Sequence, residues 1–187
     1  MNRCEWGNKS LLYQDYHDKE WGVPVHDDRT LFEFLMLEGA QSGLSWETIF
    51  KKREGYRKAF DQFNAKKISI YSKSKIESLL RNSEIVRNRL KVNSVVLNAI
   101  LFLDIQKEFG SFDAYIWQFT KGKTLQNSFR KISNLPVCTT HSEAMSQHLK
   151  KRGFKFIGST ICYAFMQATG MVNDHTIDCF RYIELSK

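Results

Sequence analysis

The chain has 187 residues, 42% hydrophobic and 26% charged, enough to bury the core of one domain. Lysine and arginine number 28 against 20 aspartates and glutamates; the resulting +8 favours a polyanionic partner, although a merely basic surface would show the same balance. No apolar run nears the roughly 20 residues of a membrane helix, and Met1-Asn2-Arg3-Cys4-Glu5-Trp6 lacks the apolar core of a secretory signal, so the chain reads as cytoplasmic with no membrane partner.

Helical periodicity dominates. Asp27 or Asp28 caps a helix with Leu31, Phe34 and Leu35 on one face and Gly39 as its stop. After the turn Gln41-Ser42-Gly43-Leu44, Ser45 caps a helix through about Arg53, with Leu44 and Ile49 spaced as a hydrophobic staple. A third helix starts near Ala65 with Ile68 and Tyr71, and the longest periodic stretch runs from about Glu84 to Glu108, stopped by Gly110. Residues 112–119 read as a short helix, and the polar stretch from Lys121 to Thr140, with Pro136, as a loop. Thr140-His141-Ser142-Glu143 reads as a capping box for a helix through Arg152. The break at 153–158 precedes a helix from Ser159 to about Ala168, stopped by Gly170. No segment alternates as a strand does, so the expected fold is all-α.

Three features carry chemistry. In the helix–hairpin–helix stretch of roughly 142–168, Lys150, Lys151 and Arg152 close one helix, Lys155 lies in the hairpin and Gly158 opens the next helix. Free amides at a helix N-terminus beside such cations can grip a phosphate, and an ordinary αα-hairpin has the same pattern. His175-x3-Cys179 places two soft ligands one turn apart, and Cys4-x12-His17 can complete a tetrahedral set joining the chain ends; plain buried thiols remain the alternative. Glu38 falls on the apolar face of the Leu31 helix, where a carboxylate needs a partner or a purpose unless it reaches solvent at a frayed end. Trp6, Tyr13, Tyr16, Trp21 and Trp46 lie near it in sequence, and an acid among rings suits a planar cation.

The blocks Arg3-Cys4-Glu5-Trp6, Tyr16-His17-Asp18, Glu20-Trp21-Gly22-Val23-Pro24, Leu37-Glu38-Gly39, Gly43-Leu44-Ser45-Trp46, Lys150 to Phe156 and Val172-Asn173-Asp174-His175 resemble the bacterial DNA-3-methyladenine glycosylase I family over nearly the whole chain. The resemblance implies an all-α helix-hairpin-helix DNA glycosylase fold, a single unit over 1–187. A zinc-binding lobe would join residues near 1–20 and 170–187, with one structural zinc on Cys4, His17, His175 and Cys179. It implies excision of 3-methyladenine from alkylated double-stranded DNA; no lysine is placed as a Schiff-base nucleophile, so no strand-cleaving lyase activity is expected, and a monomer is the default. In the base pocket Glu38 and Tyr16 would hydrogen-bond the base and Trp46 stack on it, with Trp6, Tyr13 and Trp21 as lining. Glu38 is also the candidate catalytic residue, as an activator of water or as a reader of the base. The DNA contacts would be Gly43 and Leu44, an apolar wedge or else the staple, together with Lys151, Arg152, Gly153, Lys155 and Gly158. Departures from the family pattern are Ala164, where a pocket serine is expected, and Phe156, where the wider superfamily has glycine. Asp174, near the superfamily's catalytic aspartate, is expected instead to support the metal lobe.

Overall fold

A computed structural model describes residues 2–186, and its skeleton is helical. Helix α1 (Leu11–Lys19) starts at the Ser10 cap and turns Tyr16 and His17 inward. Its largely polar sequence hid it from a search for apolar periodicity. Helix α2 (Asp28–Gln41) begins where the Asp27 carboxylate accepts the Thr30 N–H at 2.8 Å. Every residue from Leu31 to Ala40 is buried, and α2 runs through the middle of the molecule.

Gly39 does not stop this helix. It lies inside it, and a Cβ there would come within 3.1 Å of the Phe156 carbonyl oxygen, so glycine serves a close approach of two backbones. The Ser45 helix also differs from expectation. It ends as α3 (Trp46–Lys51), and α4 (Arg53–Ala59) starts after a break at Lys52. Helix α5 (Ala65–Ile68) stops before Tyr71, and α6 (Lys73–Arg81) follows from the Ser72 cap.

The long helix, α7 (Arg89–Phe109), starts five residues later than periodicity suggests. Asn88 supplies the cap by accepting the Lys91 N–H, and the chain around Glu84 lies against α4 at Gly55, where a Cβ would meet Glu84 at 2.6 Å. Gly110, at φ +85°, ends α7 as expected. Helix α8 (Phe112–Ile116) continues as a 3-10 turn over Trp117–Thr120.

Helix α9 (Thr140–Lys151) does carry a capping box, one residue earlier than the sequence suggested: Thr139 is the cap and Ser142 its partner. Helix α10 (Ser159–Ala168) packs against both α9 and α2, and α11 (Phe180–Glu184) closes the fold. One exception to the all-α expectation is a parallel pair of two-residue strands, β1 (Leu125–Gln126) and β2 (Val172–Asn173), too short to show alternation. The core is one apolar cluster running from Tyr16 to Val172, with α2 packed against α3, α7, α8 and α10. No described helix is long and apolar enough to cross a membrane.

Candidate active site and metal centre

Burial of α2 carries Glu38 inward with it. The side chain is 3% exposed, and its Oε2 finds no hydrogen-bond partner among the described residues. Burial pushes the carboxyl up to about 8, so near neutrality it holds a proton. It lines a cavity of about 330 Å³ together with Trp6, Tyr13, Tyr16, Trp21 and Trp46. Five aromatic residues and one acid, scattered over 41 positions of sequence, thus meet around one space.

The rings hold one another in place. Trp6 meets Trp21 edge-on at 5.0 Å and Tyr13 at 6.0 Å, and Tyr16 lies 5.6 Å from Trp46. Burial first, and then the nearby Glu38, keep the Tyr16 hydroxyl well above the ordinary phenol range, so it is a neutral donor. Beside the cavity Arg53 binds Glu33 at 2.6 Å and Glu20 at 2.7 Å and lies 5.0 Å over the Phe34 ring. That guanidinium ties α4 to α2 and leaves Glu38 without a counter-ion.

Sequence reasoning missed part of the lining. Gln41 lies three residues after Glu38 on the same helix, a spacing that could have found it. Lys9, Gln167, Ile132 and Leu135 also line the cavity; the last two come from the polar loop and carried no periodic signal. Ala164 lines it as well.

The Cys/His set converges. Cys4, His17, His175 and Cys179 are all buried, with their ligand atoms within 4.8 Å of one another, and could hold a metal ion. His17 Nδ1 lies 2.8 Å from the Asp18 carboxylate, leaving Nε2 facing Cys179 Sγ at 3.4 Å. His175 Nε2 faces the Trp21 carbonyl at 3.1 Å, and its Nδ1 lies 3.5 Å from both sulfurs. Each ring therefore has one nitrogen fixed from outside and the other turned into the cluster, which is how metal-binding histidines are oriented. The two thiols cannot both ionise cheaply: hydrogen bonds from Cys4 and the histidines drive Cys179 down, and the same pairing drives Cys4 up. Such a shared site releases its second proton when a cation enters.

Asp174 joins neither site. Its buried carboxylate accepts from the Tyr163 hydroxyl at 2.6 Å, Asn127 at 2.7 Å and Gln167 at 2.8 Å, bracing α10 against the segment that leads to His175.

The hairpin between α9 and α10 uses positive φ at Gly153 (+99°) and at Phe156 (+56°), a conformation that favours glycine. Lys151 and Lys155 are exposed, and Gly158 caps α10 with no side chain over its first amides. Arg152 behaves differently. Its guanidinium binds Glu108 at 2.7 and 2.8 Å and lies 5.0 Å over the Tyr115 ring, so it packs the hairpin onto α7 and α8. Leu44 remains 40% exposed beside Gly43 (φ +77°), and Lys91 steadies this turn by donating to the Ala40 carbonyl at 2.8 Å and the Ser42 carbonyl at 2.6 Å.

Residues 6–182 match the family model described as methyladenine glycosylase. The chain belongs to that family. A DNA-3-methyladenine glycosylase of Haemophilus influenzae is 47% identical over 95% of this chain and 96% of its own. A crystal structure of 3-methyladenine DNA glycosylase I superposes with a TM-score of 0.93 at 45% identity, covering 96% of this chain and 98% of that one. A Staphylococcus aureus 3-methyladenine DNA glycosylase I, solved to show the structural basis of 3-methyladenine recognition, superposes at 0.92 with 35% identity over 96% of each chain. The helical fold of this methyladenine glycosylase is therefore that of the solved members of its family.

Proposed function

We propose that this chain repairs DNA by hydrolysing the N-glycosidic bond of 3-methyladenine in alkylated double-stranded DNA, working as a monomeric, single-unit enzyme in the cytoplasm. The observation that carries this reading is a buried carboxyl with an unpartnered oxygen at the wall of an aromatic cavity. The family membership and the names of its relatives support the substrate.

Methylation at N3 gives adenine a positive charge. That cation stacks between rings, with Trp46 as the principal face and Trp6, Tyr13 and Trp21 as lining, and its charge favours loss of the Glu38 proton to solvent. The resulting carboxylate accepts from the exocyclic amine while the Tyr16 hydroxyl donates to the base edge. Extrusion of a nucleotide costs a few kcal/mol, and these contacts offset it for the damaged base. Water adds to the sugar carbon and loses a proton to solvent, the bonding electrons leave with the base and cancel its charge, and an abasic site remains. The charged base is a good leaving group, so Glu38 works chiefly by recognising it. Lys9, the lysine that lines the cavity, is exposed, and the reading assigns it no covalent intermediate and no strand-cleaving lyase step.

The α9–α10 unit acts as a helix–hairpin–helix grip in which Lys151, Lys155 and the amides after Gly158 take phosphates, with Gly153 shaping the turn and Arg152 bracing the hairpin. Leu44, beside Gly43, fills the gap left by the extruded nucleotide. Cys4, His17, His175 and Cys179 would hold one structural zinc, which supplies cohesion between the chain ends and leaves no open position for water.

The test is incubation with methylated duplex DNA and chromatography of released bases. Free 3-methyladenine is expected, with release lowered at least tenfold by Glu38→Gln and by Trp46→Ala. No release from folded, metal-loaded protein would overturn the reading, and borohydride should trap no covalent DNA complex.

A further inference from the structure

We infer that the segment Arg130–Leu135 is a clamp on the extruded nucleotide: Ile132 and Leu135 close the cavity over the base, and Arg130 and Lys131 take its flanking phosphates. The inference rests on the proposed function and adds to it a wall and a charge contact.

Ile132 and Leu135 are the two branched aliphatic side chains in a lining otherwise made of rings, amides, an acid, a lysine and an alanine. Both are half-buried, Ile132 opening a 3-10 turn over Ile132–Asn134 and Leu135 following it. Ile132 also borders a second, polar groove of about 490 Å³, lined by Arg130, Lys131 and Ser133 from the same turn and by Arg3, Asn8 and Asp178. The base cavity and the groove thus share one residue as their divide. A nucleotide whose base lies on the cavity side of Ile132 leaves its backbone on the groove side.

The charge there is available. Arg130 and Lys131 are exposed and form no ion pair among the described residues; Arg3 is bound to Asp18 at 2.8 Å, and the carboxylates of Glu5 and Asp178 also border the groove, Asp178 accepting from Asn2 at 2.7 Å. From Lys121 to Ser142 the sequence contains four lysines and arginines and no acid. The turn is also anchored from below. Leu125 N–H donates to the Met171 carbonyl, Asn127 to Asn173, and Ile177 to Phe129, so the strand pair ties the segment to the stretch carrying His175. The metal lobe therefore holds the clamp in position, which gives that lobe a part in recognition although none of its four ligands lines the base cavity.

The experiment uses full-length protein and two readouts. Tryptophan fluorescence reports binding of free 3-methyladenine, and anisotropy at several salt concentrations reports binding of duplex carrying an abasic-site analogue. The double variant Ile132→Ala/Leu135→Ala should bind the free base about tenfold more weakly, with an unchanged melting temperature. The double variant Arg130→Gln/Lys131→Gln should bind the free base as wild type does, yet bind DNA more weakly and with a salt slope reduced by about 1–2. Trp46→Ala provides the control. If it loses the base while Ile132→Ala/Leu135→Ala keeps it, the wall is excluded and the base site stands; an unchanged salt slope excludes the phosphate contact. If wild type itself fails to bind free 3-methyladenine, the base-site reading falls and the clamp falls with it.

Discussion

Phe156 turns its carbonyl against Gly39 of the central helix, so closely that a Cβ on Gly39 would lie 3.1 Å from that oxygen and 3.4 Å from the Phe156 Cβ. One side of the contact is a residue next to Glu38, and the other is the hairpin at φ +56°. This backbone contact helps to register the hairpin against the helix that carries the base cavity's acid. Gly39→Ala would gain about 1 kcal/mol of helix propensity. The hairpin is held close by Asn98, which bonds both backbone groups of Lys155, and overpacking costs about 1–3 kcal/mol. A net loss of about 1 kcal/mol in urea unfolding is expected, with weaker DNA binding. A variant more stable than wild type would show that the hairpin gives way.

Asn98 pins the hairpin. Its amide donates to the Lys155 carbonyl at 3.0 Å and accepts the Lys155 N–H at 2.9 Å, and it is 2% exposed. Asn98→Ala strands both backbone groups, and each unsatisfied buried group costs about 1–3 kcal/mol. Stability should fall by roughly 2–4 kcal/mol, and DNA affinity should fall further than release of base from bound DNA. Equal losses in both would argue against a role confined to the hairpin.

Glu38 predicts a pH dependence of stability. Its carboxyl is raised to about 8 in the fold from an ordinary value near 4.5, so between these values the folded chain holds a proton that the unfolded chain has lost. The contribution of Glu38 is fully present below about 4.5 and declines as pH rises to about 8. Glu38→Gln removes that decline. Above pH 8 the variant should be more stable than wild type by a few kcal/mol, while excising poorly. Parallel stability curves for the two proteins from pH 5 to 9 would place the Glu38 carboxylate in contact with water or a cation.

The four-ligand cluster predicts a metal requirement for the chain ends. Purified protein should carry about one zinc per chain by elemental analysis. Removal by a chelator, or Cys179→Ser, should lower the melting temperature by on the order of 10 °C. A metal-free protein with an unchanged melting temperature would reduce the cluster to buried thiols.

Leu44 separates its two readings by its exposure. At 40% exposed it contributes little to a staple with Ile49, which is itself fully buried. Leu44→Ala should leave the melting temperature within about 1 °C and lower excision from duplex about tenfold. Unchanged DNA affinity and excision would remove the wedge.

The sequence by itself determined the helical class, the main caps and the candidate chemistry. Asp27, Ser45 and Gly110 act locally, through hydrogen bonds or backbone freedom within one turn, so they were legible one at a time. Glu38 stood out because an acid at the i+7 and i+3 spacings from Leu31 and Leu35 contradicts its neighbours. Spacing offered the Cys4, His17, His175 and Cys179 set and the ring residues as candidates, and the resemblance to the methyladenine glycosylase family gave them their roles.

Tertiary structure alone decided what long-range packing decides. Gly39 read as a helix stop because its reason, the Phe156 backbone, lies more than a hundred residues away. Arg152 read as a free cation because Glu108, which neutralises it, belongs to another helix. Ile132 and Leu135 carried no periodic signal because a 3-10 turn in a loop presents side chains without a repeat. Whether an acid among rings is a site or an accident depends on whether the rings close around it, and only the folded chain brings Trp6, Tyr16 and Trp46 to Glu38.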